Sequence, residues 1–182
     1  MHLWQSSSNA SILRIMSSAS RLLLALLLVM TGCFAGVLLM TEIGILPAIR
    51  TMPLESFARY WASLDAQMAL RMPTYARAEL LLYVVTILSM WRLRRRPLFW
   101  MVCLCLLMSA GETIFTVKRQ LPINHELQHI VATGSFADDA ILSGLREEML
   151  HNFAIRMALN GGSFTILCLS VLFLRTDVLP SS

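Results

Sequence analysis

The chain has 182 residues, of which 57% are hydrophobic and only 14% charged, with a mean hydropathy of +0.66. Such a composition excludes a water-soluble globular domain and, at this length, leaves room for one all-α membrane domain. The formal charge of +4 comes from arginines spread between apolar runs, Lys118 being the lone lysine. That distribution reads as membrane topology and excludes a nucleic-acid partner.

Residues 1–21 are serine-rich and polar, with Arg14 and Arg21, and are expected to form a cytoplasmic N-terminal segment. Residues 22–47 are almost continuously apolar and long enough for a first span. Within it, Leu22 to Cys33 has the outline of a lipoprotein signal, but Met30 is a poor residue three places before the cysteine and the apolar run continues. Residues 50–75 carry Phe57, Trp61, Leu64 and Met68 among Glu55, Arg59, Asp65 and Arg71. This spacing predicts an amphipathic surface helix between spans one and two. A second span is expected over about 75–92, closing at Arg92, Arg94, Arg95 and Arg96, and a third over 97–118, ending before Pro122. Residues 123–148 read as a polar connection with short helical stretches and breaks at Gly134 and Gly144. A fourth span follows over about 149–174, leaving a tail at 176–182.

The expected architecture is thus an integral membrane four-helix bundle within residues 22–175. The dense arginine cluster places both termini in the cytoplasm, and a bacterial inner membrane is the expected location. Cys33, Cys103, Cys105 and Cys168 lie in apolar runs and read as packed thiols. Gly32 and Gly36 form a small-residue surface suited to close helix packing.

Ionisable groups in spans cost roughly 2.5–3.5 kcal/mol each on insertion scales, so they mark function or pairing. Glu42, Glu79, Glu112 and Glu148 all fall in the half of the bundle opposite the arginine cluster. Glu148 and His151 share a helical face in the Glu-x-x-His spacing of carboxylate-bridged metal bundles, where Glu42, Glu79 and Glu112 could add carboxylates from the other helices. Such a set suits iron or manganese, with copper or zinc as alternatives. The competing reading is a helix N-terminus favouring acidic residues, with His151 at the interface. His125-Glu126-Leu127-Gln128-His129 has the pattern of zinc proteases but lacks a downstream third ligand, so His125 and His129 are candidates for holding a metal or haem, or are interfacial side chains. Arg156 shares a stripe with Glu148 and Asn152 and needs an anionic partner, either Glu42 or Glu112, or a substrate.

The run Thr31-Gly32-Cys33-Phe34-Ala35-Gly36 leading to Leu46-Pro47-Ala48, Thr116 leading to Leu121-Pro122-Ile123-Asn124, and Arg156 early in the last span together resemble the anthrone-oxygenase-like family of small four-helix membrane proteins. The order and spacing cover most of the chain. Where members usually carry a tryptophan shortly before the last-helix arginine, this chain has Glu148-Met149-Leu150-His151 ahead of Arg156. The resemblance implies oxygenation of a phenolic polycycle in some members and a site containing Asn124 and Arg156. Two functions follow as expectations. One is a membrane oxidoreductase or oxygenase for a lipophilic aromatic substrate, with iron, copper, zinc or haem at the outer end. The other is a non-catalytic subunit, as a homo-oligomer or within a larger membrane complex. Four short helices leave little room for a transporter unless the chain oligomerises.

Overall fold

The computed structural model describes residues 16–175, with side chains to Val171. The polar segment before residue 16 and the tail 176–182 lie outside the described residues. Those residues form five long helices, a short 3-10 turn at Trp91–Leu93 and no strand: α1 (Ser18–Thr51), α2 (Leu54–Ala69), α3 (Met72–Ser89), α4 (Pro97–Thr133) and α5 (Asp139–Arg175).

Three helices, α1, α4 and α5, are long and apolar enough to cross a membrane, one fewer than the sequence reading expects. The difference lies in α3, which spans 72–89 instead of 75–92 and carries Pro73, Arg77 and Glu79 in its first half. It nonetheless packs between α1 and α4, while α5 packs on both α1 and α4.

Both α1 and α4 run well past the prolines expected to end them. Proline lacks the N–H needed for an α-helical bond, and its ring collides with the carbonyl four residues earlier. Each helix absorbs this with one wider π-turn, Thr41–Ile45 ahead of Pro47 and Thr116–Gln120 ahead of Pro122. The Leu46 N–H bonds the Thr41 carbonyl, and the Leu121 N–H bonds that of Thr116. The two segments repeat one pattern at one spacing: Ala35-Gly36, Thr41, Leu46-Pro47, and then Ala110-Gly111, Thr116, Leu121-Pro122. Such insertions bend helices and concentrate at functional sites.

Gly134, at φ 69°, does end α4, with the Ser135 N–H returning to the Ile130 carbonyl at 3.1 Å. Asp138 then caps α5 through the N–H groups of Ala140 and Ile141. The expected break at Gly144 is absent, since α5 continues through it for 37 residues in all. At 1.5 Å per residue α5 is about 55 Å long, well beyond a hydrocarbon layer of about 30 Å. The long helices therefore project from the apolar layer, and α2 packs against the projecting parts of α4 and α5.

Two apolar cores result. One, at the arginine-cluster end, joins Leu24, Leu27, Tyr83, Phe99, Val102 and Leu167. The Ser20 hydroxyl donates to the Ser89 carbonyl there, tying the start of α1 to the end of α3. The other, at the far end, seats Phe57 and Trp61 of α2 against Phe34, Leu38, Ile123, Leu127 and Phe153. Along α1, α4 and α5 a stretch of buried polar residues separates the two.

Candidate functional site

This polar layer draws side chains from all four packed helices: Thr31 from α1, Glu79 and Tyr83 from α3, Ser109 and Glu112 from α4, and Arg156, Asn160 and Ser163 from α5. Its centre is an ion pair. Arg156 Nε donates to Glu112 Oε1 at 2.7 Å, with the two side chains 12% and 5% exposed. The Thr116 hydroxyl, in the π-turn of α4, donates to the same oxygen at 3.0 Å. Behind the guanidinium lies the Phe153 ring, 5.0 Å from its centroid, an arrangement in which the ring face attracts the cation.

Next to this pair, Glu79 accepts a hydrogen bond from the Thr31 hydroxyl at 2.9 Å. Thr31 also meets the Tyr83 hydroxyl at 3.2 Å, and Tyr83 meets Ser163 at 2.9 Å. The chain ends at Ser109 and at the Cys105 carbonyl, each a longer contact from Ser163. Asn160, one turn beyond Arg156, is fully buried with neither polar atom partnered, and the Asn152 amide nitrogen is likewise unpartnered.

A second polar group holds α2 in place. Asn124 accepts from Trp61 Nε1 at 3.0 Å and from Gln120 Nε2 at 2.8 Å, and donates to Asp65. Gln128 donates to the other Asp65 oxygen at 2.7 Å. Burial pushes the Asp65 carboxyl above its ordinary value of 3.8, against the opposing pull of Asn124, His125 and Gln128. A carboxyl raised in the folded state binds its proton more tightly there than when unfolded. Its contribution is therefore complete below the ordinary value and lost as pH rises through the raised one. The Tm of the wild type relative to Asp65→Asn is expected to fall as pH climbs through that window. A difference that is flat or rises with pH would contradict this placement of Asp65.

The sequence-derived site residues divide accordingly. Arg156 and Glu112 meet, as one of the expected pairings of Arg156. Asn124 is buried beside α2 and reaches the ion pair indirectly, through Trp61, which packs edge-on against Phe153 at 5.5 Å. The expected metal ring is not assembled. Glu148 and His151 are exposed, because α5 turns Met149, Leu150 and Phe153 inward instead. Glu42, in the π-turn of α1, is half-buried with Oε2 unpartnered and pairs with neither Arg156 nor Glu112. His125 and His129 are both exposed on α4. Among the described residues no three His, Cys, Asp or Glu side chains converge as a metal site. The donors expected for an iron, copper or zinc site therefore do not come together among the described residues. The sequence reading assigned no site role to Thr31, Tyr83, Ser163, Asp65 or Trp61; only Ser163 left a signal, as the end of a polar stripe of Asn152, Arg156 and Asn160 at helical spacing.

Cavities of about 70 Å³, beside Phe34 and Tyr75, and about 170 Å³, between Ser20 and Arg92, are lined by none of the residues of the layer. Compared with protein-family models, with curated proteins and with solved structures, the chain matches none. Its class accordingly rests on its own features, those of an all-helical protein with helices suited to a membrane.

Proposed function

We propose that the chain is a membrane-embedded oxygenase or oxidoreductase for a lipophilic aromatic molecule bearing an acidic hydroxyl, working without a resident metal. The observation that carries this reading is the Arg156–Glu112 pair, buried in helices suited to a bilayer. A buried ion pair is seldom retained for stability, because desolvation offsets its attraction, and an intramembrane charge is a functional group by default. Glu112 would take the proton of the hydroxyl as its O–H bond breaks, and Arg156 would hold the oxyanion. The electron-rich anion is then open to oxidation by dioxygen. The resemblance to anthrone-oxygenase-like proteins supplies the reaction class, and Asn124 supports the site from the α2 side. In this reading α3 is a fourth crossing, both termini are cytoplasmic, and the membrane is a bacterial inner membrane.

A hydroxylated anthrone titrated into the protein in lipid nanodiscs tests the site. A charge-assisted hydrogen bond contributes about 1.5–3 kcal/mol, so Arg156→Gln should weaken binding at least about tenfold. Equal binding by wild type and variant would overturn the assignment, and an oxygen electrode would report turnover separately.

The closed pairing of Glu112 with Arg156 and Thr116 favours a second reading, an accessory subunit of a larger membrane complex. Co-purification with that assembly, together with no anthrone binding by the wild type, would select it.

A further inference from the structure

The polar layer contains two buried carboxylates and one guanidinium. Arg156 is committed to Glu112 at 2.7 Å, and among the described residues Glu79 has no ion pair with any Lys, Arg or His. Arg77, on the same helix, is exposed. Glu79 itself is 3% exposed and accepts only the Thr31 hydroxyl. The other titratable groups around it offer no cation. Tyr75 and Tyr83 lie on its own helix, Cys33 lies on α1 beside Tyr75, and Glu112 approaches from α4. With both carboxylates ionised the layer would hold one uncompensated negative charge in a low-dielectric interior. An unpaired buried charge of this kind carries a desolvation penalty large enough that the group neutralises instead.

We propose that Glu79 carries a resident proton and is the neutral positioning residue of the site, leaving Glu112 alone to accept the substrate proton. The use of that proton rests on the reading of Arg156 and Glu112 given above, whereas its presence does not. The charge count then closes before and after binding. Before binding, neutral Glu79 accompanies the Glu112 carboxylate and the Arg156 guanidinium. As substrate enters, its O–H bond breaks and the proton bonds to a Glu112 oxygen, while the oxyanion pairs with Arg156. The layer again sums to zero, and no charge enters or leaves it. Were Glu79 ionised, each of these states would be one charge more negative. Glu79 is held at the start of the Thr31–Tyr83–Ser163 hydrogen-bonded chain, which fixes its carboxyl against the layer.

Infrared spectroscopy of the full chain in nanodiscs at neutral pH tests this without any ligand. The expected result is a protonated-carboxyl C=O band that shifts on exchange into D2O and disappears in Glu79→Gln. Absence of the band in the wild type, or its persistence in Glu79→Gln, overturns the proposal. If Glu79→Gln does not assemble, the band is followed in Glu42→Gln and Asp65→Asn, and both must retain it. Loss in either variant reassigns the proton and equally overturns the proposal. A wild-type band together with anthrone binding insensitive to Arg156→Gln would sink the substrate reading while leaving the proton on Glu79. The converse pair of results would sink the proton alone.

Discussion

Glu112→Ala is expected to lower stability by about 3–5 kcal/mol, because removing one partner of a buried ion pair strands the other charge. Arg156 is 12% exposed as a side chain and donates to Glu112 Oε1, so the alanine leaves a largely buried guanidinium without its anionic partner. Thr116 loses its acceptor in the same change. Arg156→Ala should cost a similar amount, since it strands Glu112 and removes the cation from over the Phe153 ring. The informative variant is the double replacement Glu112→Leu with Arg156→Met. Apolar residues of similar volume often match or exceed a buried pair in stability. The double variant should therefore unfold near the wild-type temperature while binding no anthrone. Thermal unfolding in detergent, monitored by circular dichroism, reads the stability arm. Single variants within about 1 kcal/mol of wild type would show that water reaches the pair and that the layer is not dry.

Much of the architecture is legible in the residues because it depends on local pattern. The apolar run of α1, the amphipathic spacing of α2 around Phe57 and Trp61, and the stop at Gly134 each follow from composition or from one backbone requirement. The ends of α1 and α4 are not legible in this way. Pro47 and Pro122 read as terminators, and only the preceding π-turns show how the helix carries on past them. That misreading propagates into the site. Ending α4 at residue 118 and starting α5 at 149 hides the extended helices on which α2 packs.

The metal reading fails for a related reason. Glu148 and His151 do share a face, but spacing alone cannot say which face turns inward. In α5 that is decided by Leu142, Met149, Leu150 and Phe153, which are buried against the α2 core. The Arg156–Glu112 pair was recoverable because a buried cation requires an anion and few were within reach. The uncharged members of the layer were harder to see, since Thr, Ser and Tyr are tolerated in spans at modest cost and signal little individually.

Trp61→Ala is the second large effect, and it tests whether α2 is part of the site or only a cover. Trp61 is 4% exposed, donates to Asn124 Oδ1 at 3.0 Å and packs edge-on against Phe153. Truncating a buried aromatic costs about 3–5 kcal/mol, through lost burial and the cavity left behind. Asn124 keeps Gln120 as a donor, so the loss is mainly one of packing. The remaining buried contacts of α2 are Phe57, Ala58 and Ala62. Hydrogen exchange should therefore accelerate across Leu54–Ala69 well before it does in α1 or α4. Unchanged protection of α2 would show that Phe57 and the Asp65 hydrogen bonds to Asn124 and Gln128 anchor it without Trp61. The same variant should weaken ligand binding at Arg156, although Trp61 does not touch that residue. Phe153 is the shared element, meeting Trp61 on one side and the guanidinium on the other. Once the indole is gone the ring is free to swing toward the vacated space, and Arg156 loses the surface that orients it toward Glu112. Faster exchange in α2 with anthrone binding unchanged would confine the helix to a structural role and place the site wholly within the four packed helices.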